Sequence, residues 1–215
     1  MKYEAVLFDL DGTLVRTPIE AVAEMVNNTL SHFGREAPLE DITYFWYHSG
    51  RERIIEERFH VDPAEFWSLF KIYDTVEFRK KHAECYHDVG VVAELLPSEI
   101  KTGIVSGTPK YLIDFEVSLL GQNLFNAIVC ANHGNGFKPK PDPHGLLECM
   151  RLLEVKPDRA LYVGNAREDV DAANAARMDV ALILRGECKF PGINPTYAIE
   201  DLYGLRPIVG IQRCI

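Results

Sequence analysis

Asp9 and Asp11 are the residues best placed for chemistry in this 215-residue chain. They stand two apart at the end of an apolar run, Ala5-Val6-Leu7-Phe8, with Gly12 and Thr13 directly after them. The run reads as a strand buried on both faces, as in a parallel sheet. Residues two apart in extended chain point to the same side, so the two carboxylates converge where the strand ends. Open α/β sheets place ligands outside the carboxyl ends of their strands. A pair of carboxylates there suits a hard divalent cation such as Mg2+. Gly12 lets a ligand approach the backbone, and Thr13 adds a hydroxyl.

Three later segments carry complementary groups. Ile104-Val105-Ser106-Gly107-Thr108-Pro109 is again a strand that ends in a small polar loop. Ser106 offers a hydroxyl, and Gly107 lets its N–H approach an anion. Thr108 and Pro109 read as the cap and first residue of a helix whose N-terminus favours phosphate. Lys138-Pro139-Lys140-Pro141-Asp142-Pro143 supplies positive charge on a loop stiffened by prolines. Such a charge can offset negative charge that develops on a reacting anion. Tyr162-Val163-Gly164-Asn165 with Glu168 and Asp169 is a further strand end with acids close behind.

The elements that must position these groups alternate. After residue 87, helix and strand patterns succeed one another. Helices are predicted over 89–96, 109–120, 144–153 and 170–176, with strands over 103–105, 127–130, 161–163, 180–184 and 197–199. Alternating βα units mean a doubly wound parallel sheet. Residues from about 16 to 87 read instead as all helix. Thr17-Pro18-Ile19-Glu20 has the form of a capping box. Ile19, Val22, Val26, Leu30 and Phe33 follow at helical spacing until Gly34. Further helices are predicted over 39–47 and 52–59, and from Asp62-Pro63 to about residue 86. The domain assignment is therefore an α/β core of 1–15 and 88–215, interrupted after its first strand by a helical insertion of 16–87. An insertion at that point is expected to close the site and exclude water. Tyr44, Phe45, Trp46 and Trp67 suit a packed core between its helices. Tyr47, His48, Arg51 and Arg53 lie near Gly50 and are candidates to meet a substrate, whereas His133 reads as a surface residue.

Composition narrows the function classes. Apolar residues make up 47%, enough for a full core, and the formal net charge of −9 argues against nucleic acid as the main partner. No apolar run approaches the roughly 18 residues of a membrane span. A strand within five residues of Met1 leaves no room for a signal peptide. The five cysteines (Cys85, Cys130, Cys149, Cys188 and Cys214) are scattered without a CxxC pair. A disulfide framework or zinc site is not expected, and a cytoplasmic location is.

Asp9-Leu10-Asp11-Gly12-Thr13 resembles motif I of the haloacid dehalogenase (HAD) superfamily. Ser106-Gly107 resembles motif II, the lysine–proline loop motif III, and Gly164-Asn165 with Asp169 motif IV. The order covers nearly the whole chain. The helical insertion resembles the cap of the subgroup that holds phosphoglycolate phosphatases and β-phosphoglucomutases. The resemblance implies an Mg2+-dependent phosphohydrolase. In it Asp9 is the nucleophile, Asp11 the general acid and base, and Lys140 the catalytic cation. Gly12, Thr13, Ser106 and Gly107 hold the phosphoryl group. Asp9, Asp11, Asn165 and Asp169 form the metal site, Asp11 through its carbonyl. Lys138 also fits a Lys-Pro-x-Pro pattern. The spacing to Leu146-Leu147, six and seven residues beyond Lys140, favours Lys140. Asn165 departs from the family, which has Asp there, so one carboxylate is missing. Glu168 and Asp171 are nearby acids at other positions. Arg177 stands where relatives have Gly. The expected partner is a small phosphorylated metabolite, with no nucleic acid and no membrane, for a monomer or homodimer. A weakly active phospho-ligand binding protein and a phosphomutase are the alternative readings.

Overall fold

The computed structural model describes residues 2–121, 123–186 and 190–211. The chain opens with β1 (Ala5–Phe8) and the short β2 (Val15–Arg16). A helical stretch follows: α1 (Ile19–Ser31), α2 (Leu39–Tyr47), α3 (Arg51–Ile54), α4 (Pro63–Tyr73) and α5 (Val76–His82). Next come β3 (Glu84–Cys85), α6 (Val91–Leu95), β4 (Lys101–Ser106), α7 (Lys110–Leu120) and β5 (Ala127–Cys130). The remainder is α8 (His144–Leu153), β6 (Ala160–Gly164), α9 (Arg167–Ala175), β7 (Asp179–Ile183), β8 (Tyr197–Ile199) and α10 (Leu205–Val209). The chain separates into two compact units, Met1–Arg16 with Cys85–Ile215, and Thr17–Glu84.

The first unit is built on a sheet in the order β5-β4-β1-β6-β7-β8, with every pair parallel. β1 lies between β4 and β6, with Phe8 level with Ile104 and Val163. The sheet order reverses on either side of β1, which opens a crevice at the carboxyl ends of β1, β4 and β6. Ala5, Val6, Leu7 and Phe8 are all fully buried, as the unbroken apolar run requires. On one face Leu7, Val105, Val129 and Tyr162 pack with Leu146, Cys149 and Met150 of α8. Each such buried side chain contributes roughly 1.5–3 kcal/mol. That packing fixes the strand ends from which the candidate residues project.

The second unit is helical and has its own core. Val22, Met25, Val26 and Leu30 from α1 pack with Ile42, Phe45, Phe59, Phe66 and Phe70. Phe45 touches Phe59, Phe66 and Trp67 at centroid distances of 5.3, 5.6 and 5.8 Å. Trp46 and Trp67 are partly buried against this cluster. Tyr44, predicted to join it, is 37% exposed and stacks on His48 instead. It faces outward because the helical face of α2 is already set by Ile42 and Phe45.

Four local expectations are corrected. Thr17 does not cap α1, which begins at Ile19 after Pro18 without a side-chain cap. The Thr17 hydroxyl accepts from Arg79 Nη1 at 3.0 Å, because that buried guanidinium needs acceptors beyond Asp74. The helix from residue 63 does not run on to 86. It stops at Asp74, and Thr75 restarts it by accepting from the Phe78 N–H at 3.2 Å. The insertion is also not without strand at its boundaries, since β2 pairs with β3. Asp62 does cap α4, accepting from the Glu65 N–H at 2.9 Å with Pro63 at the first helical position. The 52–59 segment is α-helix only over Arg51–Ile54 and continues as a π-helical turn over Ile55–Phe59.

Arg177 follows the end of α9 with φ of +58°. Met178 N–H closes back on the Ala173 carbonyl at 2.9 Å. This is a left-handed helix stop, a position that favours Gly. The backbone shape accounts for the Gly that the family resemblance leads one to expect there.

Candidate active site

The site assembles on the crevice of the first unit. Asp9 follows β1 directly, and its N–H is held by the Val163 carbonyl of β6 at 2.8 Å. The loop after it is tightly wound. The Leu10 carbonyl accepts from the N–H groups of Thr13, Leu14 and Val15 at 3.2, 2.9 and 3.1 Å, and Gly12 N–H donates to the Val15 carbonyl at 2.7 Å. Gly12 has φ of +78°, and a Cβ there would lie 2.1 Å from the Asn165 amide nitrogen. Both its conformation and its contact therefore demand glycine. The same contact places Asn165 against the loop that carries Asp11.

Lys140 is the hub. Its ammonium donates to Asp9 Oδ1 at 2.6 Å, Asp169 Oδ1 at 2.7 Å and the Tyr162 hydroxyl at 3.1 Å. Its side chain is 8% exposed. Lys138 points elsewhere: it is 75% exposed and lies 3.8 Å from Asp142. The Tyr162 hydroxyl is 3.1 Å from Asp169 Oδ1 and 3.4 Å from the Val105 carbonyl. Asp169 Oδ2 accepts from the Ala166 N–H at 2.9 Å, the inward half of a capping box on α9. Gly164 makes room for it, since a Cβ there would be 2.4 Å from Asp169 Cγ.

The second carboxylate has its own partner. The Thr108 hydroxyl donates to Asp11 Oδ2 at 2.6 Å. The Thr108 N–H donates to Ser106 Oγ at 3.2 Å, and Ser106 is 2% exposed at the end of β4. Thr108 is therefore not the predicted helix cap. α7 starts at Lys110 after Pro109 with no side-chain cap, because the Thr108 hydroxyl is turned to Asp11. The Thr13 hydroxyl, fully buried, lies 3.4 Å from Asp9 Oδ2. Gly107 has room around it: a Cβ there would meet nothing nearer than the Ala131 carbonyl at 3.9 Å.

The charges are strongly coupled. Burial pushes the Asp9 carboxyl up from 3.8 to about 7, with the Lys140 ammonium opposing that rise. Burial also works against charge on Lys140, but Asp169 and Asp9 outweigh it and hold the lysine well above its ordinary range. Burial first, then Asp169, keeps the Tyr162 phenol protonated. The cation is therefore permanent, and it lies between two carboxylates.

The oxygens around Asp9 decide whether a divalent ion fits. Among the described residues no group of three or more His, Cys, Asp or Glu is arranged to hold a metal. Both oxygens of Asp169 are taken by donors, which places it behind Lys140 instead of among direct ligands. Asp9 Oδ2 has only the long Thr13 contact among the described residues. Asp9, the Asn165 amide oxygen and the Asp11 carbonyl remain as hard oxygen donors of the kind Mg2+ takes. They fit such an ion, with Asp9 as the one carboxylate among the three and Asn165 contributing a neutral oxygen. Glu168 and Asp171 are not brought into the Lys140 cluster by any hydrogen bond among the described residues.

Sequence reasoning missed Thr108 as a partner of Asp11, Tyr162 as a partner of Lys140, and Arg185. Tyr162 left a signal: a tyrosine inside a fully buried strand needs a partner for its hydroxyl. Arg185, whose side chain is 6% exposed, donates to the Thr13 carbonyl at 2.7 Å. His133 is exposed, as predicted. Cys85, Cys130 and Cys149 are free thiols, and Cys188 and Cys214 lie outside the described residues. No helix among the described residues is long and apolar enough to cross a membrane.

Comparison with known proteins agrees with this fold. Pyrophosphatase PpaX of Bacillus mycoides (strain KBAB4) is 29% identical over 220 residues, spanning 97% of this chain and 98% of that protein. A HAD phosphatase from Thermococcus onnurineus is 26% identical, with a TM-score of 0.70 over 98% of this chain and 100% of that one. A candidate phosphoglycolate phosphatase from Lactobacillus plantarum shares the fold at a TM-score of 0.82, with 22% identity over 97% of this chain and 100% of that one. The family model described as haloacid dehalogenase-like hydrolase matches residues 6–183. With the match spanning most of the chain, this protein belongs to the haloacid dehalogenase-like hydrolases.

Proposed function

We propose that this protein hydrolyses a small phosphomonoester through a phosphoryl group carried transiently on Asp9. The observation that carries the reading is the Lys140 ammonium, 2.6 Å from Asp9 and 2.7 Å from Asp169 in a buried strand-end crevice. A carboxylate attacks phosphorus only if the like charges of nucleophile and phosphate are offset. Lys140 supplies that offset from within the chain. Asp9 oxygen forms the new bond to phosphorus as the bond to the leaving oxygen breaks. Asp11, oriented by Thr108, gives its proton to the leaving alkoxide. It then takes a proton from the water that attacks the aspartyl-phosphate, releasing phosphate and restoring Asp9. Ser106 and the Gly107 N–H are the donors we assign to the phosphoryl oxygens, while the N–H groups of Gly12 and Thr13 bond the Val15 and Leu10 carbonyls and hold the loop in shape around that group.

Asp9, the Asp11 carbonyl and Asn165 would hold Mg2+, with Asp169 behind them. A bound ion supplies further neutralisation of the phosphate charge. The inserted helical unit is assigned the part of a cap, on its place in the chain directly after the Asp9–Val15 loop. The three free thiols support a reducing, cytoplasmic setting.

The test is a panel of phosphomonoesters, including phosphoglycolate and sugar phosphates, with pyrophosphate alongside, assayed for phosphate release at saturating Mg2+. Release from at least one monoester supports the reading. Binding of phosphorylated ligands without release from any would replace it with the binding-protein reading that Asn165 favours.

A further inference from the structure

We propose that Arg185 is a positioning residue that sets the shape of the Asp9–Val15 loop from behind. It does so through a single buried guanidinium that joins Asp88, Tyr86 and the Thr13 carbonyl. The proposal rests on the reading of that loop as the reacting one.

Arg185 lies two residues past the end of β7. Its Nη1 donates to Asp88 Oδ2 at 2.8 Å and its Nη2 to Asp88 Oδ1 at 3.1 Å. This is the two-pronged pairing that fixes a guanidinium in orientation as well as position. The same Nη2 donates to the Thr13 carbonyl at 2.7 Å. The guanidinium carbon sits 3.6 Å from the centroid of the Tyr86 ring. Asp88, fully buried, is itself tied down, its Oδ2 accepting from the Leu202 N–H at 2.8 Å. The Nε of Arg185 is buried with no hydrogen-bond partner among the described residues. Leaving a buried donor unmade is costly, so this placement serves the two contacts that the Nη atoms make.

The contact falls at a decisive point of the loop. The Leu10, Leu14 and Val15 carbonyls are satisfied by backbone N–H groups, from within the loop or from Tyr86. The Thr13 carbonyl takes a side chain from across the sheet instead. Thr13 also presents its hydroxyl to Asp9 at 3.4 Å and adjoins Gly12, against which Asn165 packs. The Thr13 carbonyl shares its peptide plane with the Leu14 N–H, which donates to the Leu10 carbonyl, so turning that plane would break the winding that holds Thr13 and its hydroxyl beside Asp9. A buried ion pair is close to neutral for stability when compared with apolar side chains of the same volume. What this pair adds is a fixed direction for one carbonyl.

The test compares hydrogen exchange of loop amides with turnover. Arg185→Met is combined with Asp88→Asn so that no unpaired buried charge remains. Arg206→Met serves as the control, because Arg206 pairs with Glu94 in the same two-pronged manner and makes no bond to the loop. We expect exchange at Thr13, Leu14 and Val15 to speed up at least tenfold in the double variant, with β1 and β4 unchanged. The control should leave the loop as it is. Turnover should fall about tenfold or more in kcat, with KM little altered. If the double variant does not fold, Arg185→Lys replaces it. Lysine keeps the charge beside Asp88 but loses the planar fork that fixes both contacts at once, and the same loop-specific exchange is expected. Loop exchange equal to wild type, or faster exchange spread evenly over the sheet, would overturn the proposal. Absence of turnover in the wild type would remove the catalytic reading, and the exchange result would still decide whether Arg185 holds the loop.

Discussion

Lys140 and Asn165 carry the sharpest expectations at the level of single residues. Lys140→Ala leaves Asp9 and Asp169 facing each other without their shared cation. Loss of one preorganised charge donor costs on the order of 10²–10³ in kcat. Lys138→Ala removes only an exposed side chain 3.8 Å from Asp142 and should leave kcat little changed. Steady-state kinetics on both variants checks the contrast, and equal losses would reverse the assignment. Asn165→Asp restores a charge beside Gly12. It should tighten Mg2+ by about 1–2 kcal/mol, roughly a tenfold shift in the activating midpoint. A Mg2+ titration at fixed ionic strength reads this directly, and an unmoved midpoint would remove Asn165 from the ligand set. The neighbouring pair Asp9 and Asp11 was legible in the sequence because two carboxylates at a strand end are rare and their spacing sets their direction. The partners Thr108 and Tyr162 were not. They lie 97 residues from Asp11 and 22 from Lys140, and only the sheet register brings each pair together.

At the scale of elements, the α/β half was readable because each strand is a short apolar run and each turn carries Gly, Pro or an acid. The helical insertion was less so. Thr17 has the residues of a capping box, yet a buried arginine 62 residues away takes its hydroxyl. Asp74 and Thr75 break what looks like one helix, since Thr75 is a better cap than continuation residue. The stop of α9 offers a clean test. Arg177 occupies a left-handed conformation at φ of +58°, which costs a non-glycine residue roughly 1–2 kcal/mol. Arg177→Gly should therefore stabilise the protein by about 1 kcal/mol once the extra freedom of glycine in the unfolded chain is counted. Denaturant unfolding measures it, and a loss of stability would mean that the Arg177 side chain makes a contact worth more than the strain.

For the molecule as a whole, stability against acid should depend on Asp88. Burial alone would raise its carboxyl, but the Arg185 fork and the Leu202 N–H outweigh burial and hold it below its ordinary 3.8. A carboxyl depressed in the folded state stabilises the protein above its unfolded pKa, and that contribution is lost as pH falls through the folded value. Breaking one side of a buried pair costs about 3 kcal/mol or more. Asp88→Asn should thus be less stable than wild type by a constant margin at neutral pH, with the gap narrowing below about pH 4. Thermal melts across pH 3 to 7 would show it, and a gap that widened in acid would contradict the linkage.

The central claim is that Asp9 carries the phosphoryl group. It is tested most directly by phosphate release from the best phosphomonoester of the panel, comparing wild type with Asp9→Asn at saturating Mg2+. The substitution keeps the shape of the side chain and removes the nucleophile, so the fold should survive and circular dichroism should match. Release should fall to background, a loss on the order of 10³-fold or more. Release at more than a few per cent of the wild-type rate, with deamidation of the new side chain excluded by mass spectrometry, would contradict it.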